Sequence, residues 1–153
     1  MQPFYEEYLS NLDELHRDLG QSIEGLSPAA LDWSPDPNIN SLGVLMAHLI
    51  GSERFWLGDV VACDPSRRDR EAEFRARGLD SAVLLSRLAA NLEYARGVLD
   101  RLTVDDLRAA RVVPGDDERV SVAWALAHCL KHIANHVGHI QVTRELWNLQ
   151  SKS

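Results

Sequence analysis

Four histidines follow one another at helical spacing near the end of this chain. The chain has six histidines in 153 residues, and His128, His132, His136 and His139 share one apolar segment. At about 100° per residue, these positions fall within roughly 80° of arc on a helix, so the imidazoles form one stripe. Side chains at i and i+4 stand one turn apart on the same face and can share a metal ion. The segment therefore predicts a divalent metal site that needs a further ligand from elsewhere.

His48 is the candidate for that further ligand. It lies in a second apolar helical segment, where a single histidine taken alone is usually a core residue with a hydrogen-bond partner. If the two segments face each other, His48 completes a set of three nitrogens with His132 and His136. Such a set leaves coordination positions open for water or substrate, as in catalytic divalent sites. The alternative is that His132 and His136 are partly exposed histidines at a helix edge.

The remaining histidines have less specific predictions. His128 competes for a ligand position and is otherwise predicted to support a ligand or line a pocket, and His139, a turn further along, is predicted to do the same. His16 falls on the apolar stripe of the first helix and is predicted to be a core-edge histidine with a hydrogen-bond partner. Cys129 is about 60° from His132 on the helix. It is predicted to be a buried small hydrophobic residue, although a thiolate would also suit zinc.

Two charged residues near the histidines are weaker candidates. Glu53 follows His48 by five residues, which turns it away from the His48 face, so no general base is predicted there. Arg144 could anchor a substrate carboxylate, although a surface salt bridge is the simpler expectation. A hydrolase that uses metal-activated water would need a base that this spacing does not supply.

Helices must position all of these residues. Apolar residues recur at intervals of three and four, without an alternating strand pattern, in residues 3–25, 41–62, 80–102 and 121–147. This pattern predicts an all-α fold, an antiparallel four-helix bundle whose last helix is roughly 40 Å long. Short extra helices are predicted in the connections, after the N-cap Ser27, within residues 63–79, and from Thr103 to about Ala110. Pro114 and Gly115 predict a turn.

Length and composition indicate one domain, residues 1–153, of ordinary globular type. Hydrophobic residues make up 45% of the chain and charged residues 25%. The formal net charge of −7 argues against nucleic-acid binding, which needs a basic surface. The single basic run, residues 67–70, is predicted to be a solvated loop.

Several absences bear on localisation. No stretch of the sequence is apolar enough to predict a membrane span. The first residues carry acids where a signal peptide carries positive charge, so export is not expected. Cys63 and Cys129 form no CxxC motif, and a reducing cytoplasm is the expected compartment.

The histidine segments resemble the DinB-like superfamily of metal-binding helical bundles. The resemblance lies in SLGVLMAHLIGSERFW (residues 41–56), in HIANHVGHIQ (residues 132–141) and in Arg144-Glu145. These segments are similar to the branch that contains bacillithiol and mycothiol S-transferases and the mycothiol-dependent maleylpyruvate isomerase. The resemblance covers nearly the whole chain in helix order and length. It implies His48, His132 and His136 as metal ligands, with zinc or nickel as the usual metal.

The same resemblance implies a function. In such transferases a low-molecular-weight thiol, such as bacillithiol or mycothiol, binds the metal and attacks a small electrophile in stress or detoxification. A divalent-metal-dependent thiol S-transferase is therefore the leading hypothesis, and it leaves room for a homodimer. The alternatives are a non-catalytic metal-binding or stress-induced dimeric bundle, a small metal-dependent hydrolase, and a structural bundle without metal.

Overall fold

The computed structural model is an all-α bundle and describes residues 1–152; Ser153, the last residue of the predicted domain, lies outside the described residues. In chain order the elements are α1 (Pro3–Ile23), α2 (Pro28–Asp32), α3 (Leu42–Arg54) with a π-helical continuation (Phe55–Ala62), α4 (Arg70–Phe74), α5 (Ser81–Leu99), a 3₁₀ helix (Val104–Arg108), β1 (Ala110–Val112), β2 (Arg119–Ser121) and α6 (Val122–Gln150). The long helices α1, α3, α5 and α6 form an antiparallel four-helix bundle. The predicted fold class is confirmed.

Capping residues begin the two helices that carry the histidine segments. The hydroxyl of Ser41 accepts a hydrogen bond from the backbone N–H of Val44 at 3.3 Å. The hydroxyl of Ser121 accepts one from the backbone N–H of Trp124 at 3.1 Å. Each such cap contributes about 1 kcal/mol and satisfies an N–H that the first helical turn leaves unpaired. The two predicted helix starts are confirmed.

The core determines which face of each helix meets the others. α3 is buried over almost its whole surface, and it packs against α4, α5 and α6. α6 buries one stripe, which includes Ala125, Leu126, Ile133 and Ile140. The α3 side chains that point at α6 therefore lie at the border between the core and the half-exposed flank of α6. Among the described helices, none is both long enough and apolar enough to span a bilayer.

The second long helix changes its winding near its end. The sequence predicts one continuous helix to about Ala62, whereas Phe55–Ala62 is π-helical. The guanidinium of Arg54 lies against Gly58, where a methyl group would collide with it, and it binds the carboxylate of Asp64 at 2.9 Å. A wider turn of this kind has no hydrophobic period of its own, so the sequence pattern does not distinguish it from an α-helix.

The connection before α6 also differs from the prediction. The predicted short helix ends at Arg108 rather than near Ala110, and it is a 3₁₀ helix opened by the predicted capping box. β1 and β2 follow as an antiparallel pair with Arg111 opposite Val120, although the sequence pattern predicts no strand. Strands of three residues are too short to show alternation. The turn predicted at Pro114 is confirmed between them.

Candidate metal centre

α3 and α6 bring three histidines together. His48 of α3 lies opposite His132 and His136, which stand on successive turns of α6. One ligand atom from each residue lies within 4.8 Å of the others, and Nε2 of His48 is 3.2 Å from Nε2 of His132. His48 is buried and the other two are half-buried, so the cluster lies where the core meets solvent. Three imidazoles that converge in this way form a donor set that suits zinc or nickel.

Glu73 of α4 holds the ring of His48. Oε2 of Glu73 accepts a hydrogen bond at 3.2 Å from Nδ1–H of His48, which leaves the Nε2 lone pair directed at the cluster. Arg68 donates from Nε to Oε1 of Glu73 at 2.6 Å and from Nη2 to Oε2 at 2.7 Å. Burial raises the pKa of the Glu73 carboxyl, but hydrogen bonds and charge from Arg68 and His48 lower it overall. Glu73 is therefore an ionised, anchored partner for His48.

Gly51 makes room for this carboxylate. It lies one turn after His48 on α3, and a methyl group at this position would collide with the carboxyl group of Glu73. The ring of Phe74 covers the imidazole of His48, with the ring centroids 4.9 Å apart. The absence of a side chain at Gly51 thus lets α4 approach α3 closely enough for Glu73 to reach Nδ1 of His48.

His132 has a hydroxyl group beside its outer nitrogen, since Oγ of Ser52 lies 3.4 Å from Nδ1 of His132. Burial, followed by the charges of the neighbouring imidazoles, lowers the pKa of His132 to about 4. Burial and the imidazole of His48 lower the pKa of His136 to about 4 as well. Since the neutral imidazole is the form that binds metal, both rings have a free lone pair at neutral pH.

His128 lies beside the cluster and outside it. Its ring stacks on Trp124 with centroids 4.7 Å apart, and its centroid is 4.4 Å from that of Trp56. The rings of His128 and His132 are nearly parallel at 6.1 Å. Burial, followed by the charge of Lys131, lowers the pKa of His128. The two indoles and His128 together form an aromatic wall next to the three histidines.

His139 lies on the other side of the cluster along α6. Its Nδ1 is 3.4 Å from Nδ1 of His136, and the two ring centroids are 5.3 Å apart. The side chain is exposed. His139 therefore contacts His136 from the solvent side, and it lies outside the group of His48, His132 and His136.

The remaining sequence candidates lie in the core. His16 pairs with Glu53 at 2.7 Å, so the predicted hydrogen-bond partner of His16 is present and Glu53 points away from His48. Cys129 is buried, as predicted, and burial raises the pKa of its thiol. A protonated buried thiol is not a metal ligand.

Two expectations about arginines are wrong. The run 67–70 is a solvated loop at Arg67 and Asp69, which are exposed, but the prediction is wrong for Arg68, whose side chain is only 13% exposed and binds Glu73. Arg144 has no carboxylate partner among residues 1–152, and its Nη1 is buried without a hydrogen-bond partner there. Sequence reasoning also missed Glu73, because a five-residue helix shows no period that marks its buried side. Only the contact between α3 and α4 assigns Glu73 its role.

The chain is similar to several known proteins. A family model described as mycothiol-S-transferase matches residues 8–148. A conserved protein from Enterococcus faecalis superposes with a TM-score of 0.79 at 16% identity, over 95% of this chain and 98% of that chain. YfiT from Bacillus subtilis, described as a probable metal-dependent hydrolase with an unusual four-helix bundle topology, has a TM-score of 0.75 at 18% identity, over 97% and 90%. At such identities the structural likeness shows the fold. No curated protein sequence matches the chain.

Proposed function

We propose that this chain, which belongs to the mycothiol-S-transferase family of DinB-like proteins, is a divalent-metal-dependent thiol S-transferase. Family membership confirms the resemblance drawn from the two histidine segments. One observation carries the proposal, namely the convergence of His48, His132 and His136 at the edge of the core. Zinc and nickel are the metals we propose, since both accept neutral imidazole ligands.

The three histidines fit a catalytic ion better than a purely structural one. Three protein nitrogens leave at least one coordination position for a further ligand, whereas structural zinc sites are usually closed by four protein ligands. When bound, a divalent ion supplies Lewis acidity that lowers the pKa of a thiol and favours its nucleophilic form at neutral pH.

The protein's own side chains prepare the site in two ways. Glu73 accepts a hydrogen bond from Nδ1 of His48, which fixes the tautomer and the aim of that ring, and the hydroxyl of Ser52 beside Nδ1 of His132 helps to aim the second ring. The aromatic wall of Trp56, Trp124 and His128 gives an electrophile an apolar surface next to the histidines. These residues orient the reactants and exclude water from one side of the cluster.

In the proposed reaction, the thiol loses its proton to solvent and its sulfur forms a bond to an electrophilic carbon. With a halide substrate, the carbon–halogen bond breaks and halide leaves with the electron pair. Mycothiol is the thiol that the family description suggests, and bacillithiol is the related candidate. The electrophile is a small organic molecule.

A metal-dependent hydrolase is the second candidate function, because YfiT is described as one. Hydrolysis by metal-activated water would need a general base on the open side of the cluster. Glu73 does not supply one, since it faces Nδ1 of His48 and is ion-paired to Arg68. The geometry thus favours a nucleophile that arrives with the substrate. A non-catalytic metal-binding bundle is the third candidate.

The test is a thiol-dependent conjugation assay. Metal-loaded protein is incubated with monochlorobimane and, separately, with mycothiol, bacillithiol, glutathione or coenzyme A, and product fluorescence is recorded. We expect turnover with one of the four thiols and its loss in His132→Ala, while Arg75→Gln, at the exposed C-cap of α4, keeps the wild-type rate. Absence of turnover with all four thiols would argue against the proposal, and hydrolysis of ester substrates without thiol would favour the hydrolase.

Two further parts of the proposal concern the setting of the enzyme. A homodimer fits the exposed apolar side chains of Val142 and Leu146 on α6, which stand one turn apart. A cytoplasmic location fits the two free cysteines, Cys63 and Cys129. Sedimentation of the purified protein and fractionation of cells that produce it would test these two points.

A further inference from the structure

A cavity of about 590 Å³ lies between α3, α4 and α5, away from the histidine cluster. Its volume falls in the range of small-molecule sites. Much of its wall is aliphatic, formed by side chains such as Ile50, Ala72 and Leu79. None of the three clustered histidines lines it. Arg68 and Glu73 do, and they separate the cavity from Nδ1 of His48.

Four arginines line this cavity, and two of them have no carboxylate partner among the described residues. Arg54 is paired with Asp64, and Arg68 with Glu73. Arg77 donates only to the hydroxyl of Ser41, at 3.4 Å. Arg87, on α5, has neither a hydrogen bond nor an ion pair within residues 1–152.

Besides Glu73, which is paired with Arg68, the cavity is lined by the carboxylate of Asp69, which offsets part of the positive charge of Arg77 and Arg87. Asp69 caps α4 by accepting a hydrogen bond from the backbone N–H of Ala72 at 2.9 Å. It forms no ion pair within the part of the chain that the structure describes. Two unpaired guanidinium groups against one carboxylate leave the cavity with an excess of positive charge.

The unpaired hydroxyl of Ser66 is a second, independent observation that points to a ligand. Ser66 is one of the lining residues, and its hydroxyl oxygen is buried and has no hydrogen-bond partner among the described residues. A buried hydroxyl without a partner is costly. A ligand oxygen in the cavity would supply the missing hydrogen bond and could also accept hydrogen bonds from the guanidinium groups.

We propose that this cavity binds a small organic carboxylate, at a site separate from the metal centre. The planar fork of arginine matches the two oxygens of a carboxylate, and the aliphatic wall fits an apolar body attached to it. Arg77 and Arg87 are the charged contacts and Ser66 is the neutral one. The proposal does not depend on the transferase activity, because no clustered histidine contacts the cavity.

Phthalate is a suitable probe, because it carries two carboxylates on an apolar ring. We expect titration calorimetry of the full-length protein to detect phthalate binding and to detect none with the neutral dimethyl phthalate. The double variant Arg77→Gln/Arg87→Gln should weaken phthalate binding roughly tenfold or more, since it removes two charge-assisted contacts. The matched control Arg75→Gln, an exposed arginine of the same region that does not line the cavity, should bind as the wild type does.

A second variant tests the position of the site by volume rather than by charge. Ala90 lines the cavity from the exposed side of α5, so Ala90→Tyr should fill it and abolish phthalate binding while circular dichroism stays unchanged. Three results would each overturn the proposal. They are no phthalate binding by the wild type, equal affinity in the double variant, and inorganic phosphate binding as tightly as phthalate. Failure of the conjugation assay would leave this titration unaffected, so the two proposals can fail separately.

Discussion

Two buried histidine–carboxylate pairs lie in this bundle, and they differ in what surrounds them. Nε2 of His16 and Oε2 of Glu53 are 2.7 Å apart, and both side chains are almost completely buried. The other nitrogen of His16 and the other oxygen of Glu53 have no hydrogen-bond partner in residues 1–152. Nδ1 of His48 and Oε2 of Glu73 are 3.2 Å apart, with both side chains 9% exposed. The first pair is closed within the core, and the second lies at its edge.

Every remaining polar atom of the second pair has a partner. Arg68 binds both oxygens of Glu73, and the free nitrogen of His48 faces the imidazole of His132. The same two residue types thus serve packing in one place and define a candidate metal centre in the other. The environment of the second ring nitrogen, rather than the presence of the pair, distinguishes the two.

The largest expected effect is on stability, at the core pair. Glu53→Ala leaves His16 buried without its partner, and we expect the free energy of unfolding to fall by about 3–5 kcal/mol, as when one member of a buried pair is removed. Urea denaturation measures this loss. Glu53→Gln, which can still hydrogen-bond His16, should lose less. A loss below about 1 kcal/mol for Glu53→Ala, or loss of metal from the folded Glu53→Gln protein, would break the distinction between the pairs.

At the other pair, the expected effect is on metal affinity. Glu73→Gln removes the charge that supports His48, and we expect zinc affinity to fall about 10- to 100-fold, together with some loss of stability because Arg68 loses its carboxylate partner. Competition with a chromophoric chelator measures the affinity. Glu71→Gln is the matched control, because Glu71 is exposed on the same helix and pairs with Arg75. Equal zinc affinity in Glu73→Gln and in the wild type would show that Glu73 has no such role.

A substitution at Gly51 tests the role of the pair of His48 and Glu73 without changing any polar group. Gly51→Ala would displace Glu73 from Nδ1 of His48, and we expect zinc affinity to fall about tenfold, the lower end of the effect of losing an outer partner. Gly97→Ala is the control, since a methyl group there meets nothing within 4 Å. It should raise the free energy of unfolding by up to about 1 kcal/mol through helix propensity. Unchanged zinc affinity in Gly51→Ala would mean that Glu73 reaches His48 by another path.

A further expected effect is on the pH dependence of the metal-free protein. The pKa of His132 and that of His136 are about 4 in the folded chain, against an ordinary value of 6.5. Between these values the unfolded chain binds more protons, so stability should rise as pH increases from about 4 to 6.5 and level off above. Urea denaturation with a chelator present measures the slope. The double variant His132→Asn/His136→Asn should have a shallower slope, and an identical slope would contradict the assignment.

Much of the fold could be predicted from local patterns. The four long helices, the helix starts at Ser41 and Ser121, and the turn at Pro114 each depend on residues close together in the chain. The π-helical end of the second long helix and the strands β1 and β2 could not be predicted. Their geometry depends on contacts such as that of Arg54 with Asp64, and three-residue strands show no period.

The candidate site also contains residues that local patterns predict and residues that they do not. The sequence predicts His132 and His136 as a pair because they share one helix, and it predicts His48 as the third ligand only on the condition that the two helices face each other. The sequence does not predict the roles of Glu73 and Arg68, because both residues lie in a polar connection and only tertiary packing brings them close to His48. The room left by Gly51 depends on how closely α4 approaches α3, which no local pattern records.

The central claim is that His48 belongs to a three-histidine metal centre, while His16 belongs to the core. Metal analysis tests this claim most directly. Tag-free wild-type protein, His48→Ala and His16→Gln are purified in parallel, and their metal content is measured by mass spectrometry. We predict about one zinc or nickel ion per chain in the wild type and in His16→Gln, and almost none in His48→Ala. Equal metal content in His48→Ala and in the wild type would contradict the account.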